Sequence, residues 1–270
     1  MINFAHDMRL KSKYFFISCF FLSTSIFAQE DTLWNQTNSS GQKEGFWRDF
    51  YPNGNLKYKG EFKNGKPFSV FKYYYGSGDI KSILHNRNEQ EAYATHYYST
   101  GEMLGQGKYL NREKDSVWIT YGANNKKLEE GPFVKGKKHG EWKIYYPDGA
   151  ITELKHYVND VEEGEYKFYF PNGKLKQSAF YKNGMMEGES IFYNTEGKKI
   201  VIGNYLNDSR HGDWTYFDAD GNVEKVLKYK NGNLLNYEQE DTIDIDEEAL
   251  RERVKDNLEF EDLRGKIKYE

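Results

Sequence analysis

The sequence predicts an all-β protein: an elongated array of antiparallel β-hairpin repeats followed by a short C-terminal helix. Three recurrences within the chain predict it. A turn glycine returns at Gly54, Gly78, Gly101, Gly149, Gly173, Gly197 and Gly221, every 24 residues apart from one interval of 23, with Asn125 in the single missing place. Ahead of that turn an aromatic stands in all eight copies, at Phe50, Tyr74, Tyr97, Tyr121, Tyr145, Tyr169, Tyr193 and Phe217. A second aromatic column precedes the closing turn, at Phe62, Tyr109, Phe133, Tyr157, Tyr181, Tyr205 and Tyr229.

The repeat is clearest in Lys138 to Gly184. There Gly140-Glu141-Trp142 falls on Gly164-Glu165-Tyr166 and Pro147-Asp148-Gly149 on Pro171-Asn172-Gly173. Each copy holds two runs rich in Tyr, Phe, Trp and Ile, joined by Pro-Asn-Gly or Pro-Asp-Gly and closed by Asn-Gly, Asn-Asp or Lys-Gly. Asn-Gly and Asp-Gly supply the positive φ of tight turns, and aromatic and β-branched residues fit a pleated surface. Each unit is therefore a hairpin. A lone hairpin is marginal in water, so the copies must pair side by side, and stability spreads along the array as neighbour terms.

Residues 1–28 read as a secretory signal. Arg9, Lys11 and Lys13 form a basic segment, Tyr14 to Phe27 an apolar run too short to span a bilayer, and Ala28 a small residue at the cleavage place. An uncleaved anchor is the other reading of this run. Cys19 is the only cysteine, so cleavage leaves no disulfide. Residues 29–42 are polar, and Leu33 to Thr37 read either as an edge strand capping the first hairpin or as linker. The eight hairpins fill residues 43–232. Copies two to four are the most degraded, with a misaligned joint around His85 to Glu91. Residues 233–270 form an acidic tail with a helix at 247–264, N-capped by Asp246 and ended by Gly265.

Charge excludes one function class. The chain carries a formal −4; residues 1–28 hold three bases and one acid, and residues 238–270 hold 13 acids and 6 bases, which leaves the hairpin array near +1. Without a basic surface, non-specific nucleic-acid binding has no electrostatic drive.

No catalytic constellation stands out, and neither a cofactor nor a metal is expected. The sequence lacks a Gly-x-Ser-x-Gly elbow, a phosphate-binding Gly-x-x-x-x-Gly-Lys and a His-Glu-x-x-His. His139 and His211 occupy a place that other copies fill with Glu44, Glu163 and Glu187, which marks a surface strand position rather than a ligand or base. The acidic run from Asp241 to Glu248 lacks the glycine and spacing of a calcium loop.

Recognition by aromatic columns remains. Trp47, Trp118, Trp142, Tyr166 and Trp214 share one column, two residues after the position that opens each copy, and are the candidate interaction surface. Such rings can grip a protein partner, stack on an envelope glycan or lie on a membrane interface; alternatively they serve as glue between hairpins. Alternation puts Trp142 and Tyr145 on opposite faces unless a bulge intervenes, so either bulges re-aim the rings or both faces carry them.

The unit His139-Gly140-Glu141-Trp142-Lys143-Ile144-Tyr145-Tyr146, with its counterpart His211-Gly212-Asp213-Trp214-Thr215-Tyr216-Phe217, resembles the bacterial variant of the MORN repeat. Chains of this variant are commonly named YwqK-type toxin–antitoxin antitoxins. The resemblance covers nearly all of residues 43–232 and implies a hairpin meander acting as an interaction scaffold, with no catalytic residues to carry over. Together with the signal it points to an exported, non-enzymatic scaffold that binds protein at the cell envelope. The alternatives are a carbohydrate-binding module and an immunity protein that binds a toxin.

Overall fold

The computed structural model describes residues 33–235; the signal at 1–28 and the helix expected at 247–264 lie outside the described residues. The described residues form one sheet of 21 strand segments. Each strand pairs antiparallel with its neighbours in sequence, so the sheet is a continuous meander. Eight hairpins compose it, from Lys43–Phe50 with Leu56–Lys63 to Ser209–Phe217 with Val223–Lys230. At the N-terminal edge Gln36–Thr37 pairs with the first hairpin and Trp34 bridges to Phe46, so this stretch covers the sheet edge there.

Two kinds of turn alternate. The central Pro-Asn-Gly type of turn is three residues long with only its glycine at positive φ, as at Gly54 (φ +85°), where the Gly54 N–H donates to Tyr51 O at 2.9 Å. The closing turns have two residues, both at positive φ, such as Asn64 (49°) with Gly65 (75°) and Asn207 (50°) with Asp208 (64°). That conformation favours Asn, Asp and Gly, and its twist matches that of the flanking strands. The joint between copies two and three departs from it: Arg87 to Gln90 form a wider loop closed by Arg87 N–H to Glu91 O at 2.9 Å.

Neighbouring hairpins are also clipped at the central turns. The hydroxyls of Tyr51, Tyr75, Tyr98 and Tyr146 donate to the backbone carbonyls of Tyr74, Tyr97, Tyr121 and Tyr169, one copy further on.

Register shifts occur once per copy at the aromatic before the central turn, from Asp49/Phe50 in the first hairpin to Tyr216/Phe217 in the last. The extra residue sits on the second strand, as Thr152 does between the pairs Ile144↔Glu153 and Tyr145↔Ile151. Three further shifts, at Lys59/Glu61, Gly107/Lys108 and Ile202/Asn204, place extra residues near the start of first strands, at Ser69, Ser116 and Gly212 with positive φ; beyond them the first strand keeps its alternation, and both faces carry rings. Trp142 packs edge to face on Phe133 and Tyr157, whereas the Tyr145 hydroxyl reaches Glu130, the cross-strand partner of Lys143.

The core lies along one face of this single layer. At four joints the residue opposite the column position on the hairpin's second strand is a glycine and a ring from the next copy arrives over it, whereas Lys155, opposite Trp142, meets Tyr166 with its ammonium 5.6 Å from the ring centre. Gly60 lies under Phe71, Gly107 under Trp118, Gly131 under Trp142 and Gly203 under Trp214, and a Cβ added to any of the four would come within 2.2 to 2.5 Å of ring carbons. Where that place holds Leu84, the arriving residue shrinks to Ala94, and where it holds Ala179 the arriving residue is Ser190, which accepts from the Gln177 amide at 3.0 Å. At these joints one side yields to the other in size.

Gly131→Ala and Gly203→Ala are each expected to lower stability by about 1–3 kcal/mol through overpacking. Gly76→Ala, at ordinary φ and with nothing within 4 Å of the added methyl, is expected to be close to neutral. Urea-denaturation midpoints check both.

Candidate interaction surfaces

The tryptophan face is built from the strands inward. Each indole lies over the glycine of the preceding copy and donates its N–H to the next carbonyl in that strand: Trp118 to Lys108 O at 2.8 Å, Trp142 to Pro132 O at 3.1 Å and Trp214 to Asn204 O at 3.1 Å. Second-column aromatics close on each ring edge to face, with centroids 4.9 Å apart for Tyr109–Trp118 and 5.2 Å for Tyr205–Trp214. A cation four residues upstream covers the remaining face: Lys43 over Trp47, Lys114 over Trp118, Lys138 over Trp142 at 3.8 Å and Arg210 over Trp214.

The proposed contact rings are thus placed in the core. Trp118, Trp142 and Trp214 expose 3%, 2% and 1% of their surface, Tyr166 is buried and Trp47 is half-buried, its indole N–H donating to Gln36 O in the edge segment. A ring held in this way has no face left for a partner. The expectation of an exposed ladder is corrected at Trp118, Trp142, Tyr166 and Trp214, because neighbouring hairpins and a cation over each ring cover what a single sheet leaves open.

Electrostatics on this face follow burial. Burial lowers the pKa of Lys114 and, with the charges of Lys114 and Lys81, that of His96. Lys155 stands where other copies have glycine and is held between Glu153 at 3.4 Å and Glu162 at 2.9 Å. Burial and the Glu153 charge push the Tyr166 hydroxyl well above the usual phenol range, so it stays protonated.

The opposite face is the accessible one. The residue preceding each column position points there by alternation, and along the array it reads Phe46, Val70, Tyr93, Val117, then Glu141, Glu165, Glu189, Asp213. Phe46, Tyr93 and Val117 are 48%, 44% and 55% exposed. The four acidic residues are all exposed. The switch from apolar to acidic falls between the fourth and fifth copies. It is visible in the sequence as a column, but the mainly aromatic column one position further on draws attention away from it. On this face Glu130 is held below the usual carboxylate range: burial opposes this, and the hydrogen bonds from Lys127 and Tyr145 outweigh it.

The glutamates aligned with the two histidines have a structural task. Glu44, Glu163 and Glu187 accept the backbone N–H of Asn64, Asn183 and Asn207 at 2.8, 2.7 and 3.1 Å, capping the closing turn of their own hairpin. His211 occupies the same place with its Nδ1 buried and without a hydrogen-bond partner. Among the described residues no group of three or more His, Cys, Asp or Glu could hold a metal ion, and no helix is long and apolar enough to cross a membrane.

The family model described as MORN repeat variant matches residues 43–64, 138–159, 162–183 and 210–231. Four of the hairpins thus match the MORN repeat variant. Each matched segment is one hairpin, beginning within two residues of the start of its first strand and ending at the asparagine of the closing turn. No curated protein matches the chain. Among solved structures, a mutant S. aureus TarM in complex with Fondaparinux, alpha-GlcNAc-glycerol and UDP is 8% identical, over 44% of this chain and 19% of that one, at a TM-score of 0.22. TarM itself is 10% identical over 43% of this chain and 20% of that one, at 0.21. A Photorhabdus luminescens Tc holotoxin pore is 11% identical over 68% of this chain and 11% of that one, also at 0.21. The chain spans a fifth or less of these proteins.

His211→Glu is expected to stabilise the last hairpin by about 0.5–1.5 kcal/mol, by supplying the carboxylate that caps the turn in three other copies. A rise in the thermal midpoint checks this.

Proposed function

We propose that the protein is an exported, non-enzymatic MORN-variant scaffold that binds a protein partner at the cell envelope through the outer face of its first four hairpins. One observation carries the reading: Phe46, Tyr93 and Val117 stand exposed in one column, where the later copies place carboxylates. Exposed apolar residues set in line on a rigid sheet mark contact surfaces, and aromatic anchors dominate interface energetics. Each of these residues is paired across the strand, Phe46 with Glu61, Tyr93 with Lys108 and Val117 with Pro132, and Gly45 and Ser116, the residues before Phe46 and Val117, stand at positive φ. Packing of the core therefore does not require them to be apolar. The later copies support this, since Glu141, Glu165, Glu189 and Asp213 sit at the same place in hairpins of the same form, each after a glycine at positive φ. The basic and apolar segments of residues 1–28 support export.

Replacing Phe46, Tyr93 and Val117 together with Glu imposes the residue type of the second half on the first. The variant is expected to keep its circular dichroism spectrum and to lose a specific partner in a crosslinking pull-down from the envelope fraction. Recovery of the same partner by both forms would refute the outer-face assignment.

A further inference from the structure

The ring packing fails at one place. Around the joint of copies two and three, the column that supplies tryptophan elsewhere holds Ala94, and the second aromatic column holds Asn86. At Ser190, the other site without a column ring, the second-column tyrosines Tyr181 and Tyr205 remain on either side and the Gln177 amide fills the gap. At Ala94 two rings are missing together, and a groove of 910 Å³ opens on the tryptophan face. That is within the range of small-ligand sites, about 300–1,000 Å³.

Its walls are aromatic. Tyr58 and Tyr73 line one side, packed on Phe71, and His96 and Tyr109 line the other, packed on Trp118. His96 is fixed by Ser82 Oγ at 2.7 Å and the Tyr109 hydroxyl at 3.2 Å, so this wall is held in place before any ligand arrives. Ser82 and Ala92 form part of the lining, and both are buried.

Its rim is cationic. Lys57, Lys66, Lys81 and Arg112 line the groove against two carboxylates, Glu89 and Glu91. Glu89 is bound to Lys66, Glu91 lies 4.0 Å from Arg87 and Lys57 is paired with Asp49 at 3.4 Å. Arg112, in the closing turn at φ +69°, has no acidic partner among the described residues. The excess positive charge stands beside aromatic faces in an array that is close to neutral as a whole.

We propose that this groove binds an acidic saccharide unit. The carbon face of a pyranose stacks on the tyrosine walls, its carboxylate meets Arg112 and the rim lysines, and its hydroxyls meet the tyrosine hydroxyls and the Asn88 amide. The site is on the face opposite the proposed protein contact, so the two bind independently.

Isothermal titration calorimetry with tetragalacturonate tests this, with maltotetraose as the uncharged sugar of equal length. Binding of tetragalacturonate alone is expected. Lys66→Gln/Arg112→Gln removes rim charge from exposed positions and is expected to weaken it about tenfold or more, or by at least 1.4 kcal/mol. Leu84→Gly/Ala94→Trp restores the glycine-under-ring pair of Gly131 with Trp142, fills the groove and is expected to abolish binding, with circular dichroism reporting the fold. No binding to wild type, equal binding of maltotetraose, or unchanged affinity in the charge variant would each overturn the proposal. The charge variant decides the matter even if the repacked one fails to fold.

Discussion

A single-layer sheet can bury a tryptophan only if something in the same layer makes room for it, and the structure depends on this constraint. The room is a glycine. At Gly107, Gly131 and Gly203 the ring of the following hairpin occupies the volume a side chain would take, and its N–H bonds to the carbonyl next to that glycine. An aromatic side chain buries roughly 150–250 Å². No isolated hairpin supplies both the ring and the seat for it, so each copy is completed by its neighbour. Cooperativity along the array follows from that shared contact, and the cation above each ring closes the face that a second sheet would otherwise cover.

The same constraint separates structural from accessible aromatics. Rings that pack against a glycine are consumed by the fold, while residues one position away lie on the other face and are left to solvent. Recognition is thereby moved off the tryptophans and onto the column of Phe46, Tyr93 and Val117, and, where two rings drop out together, into the groove beside Ala94. Degradation of the repeat in copies two to four is thus where the molecule departs from a uniform ribbon. A uniform array would present no concave site on its tryptophan face at this point.

Much of this was legible from the residues. The 24-residue period, the hairpin turns at Gly54 and Asn64-Gly65, and the two aromatic columns all express local preferences for φ and for pleated surfaces, which a sequence displays directly. The candidate site was not. Trp142 and Trp214 looked like exposed contacts because a strand pattern says which residues share a face but not which face is covered, and a single sheet gives no second layer to decide it. The glutamate at the position of His211 likewise looked interchangeable, because its partner, a turn N–H 20 residues away in the aligned copies, is brought close only by the closed hairpin.

The sequence by itself determined the repeat, its hairpins and their order, since period, turn chemistry and alternation act over a few residues. Only the tertiary structure decided burial. Whether a ring is core or surface depends on the side chain that meets it across the joint between copies: Gly131 beneath Trp142, Leu84 against Ala94. Such pairs join residues on different hairpins whose sizes are adjusted to each other, and volume shared between two strands is a property of their contact, which neither strand carries alone.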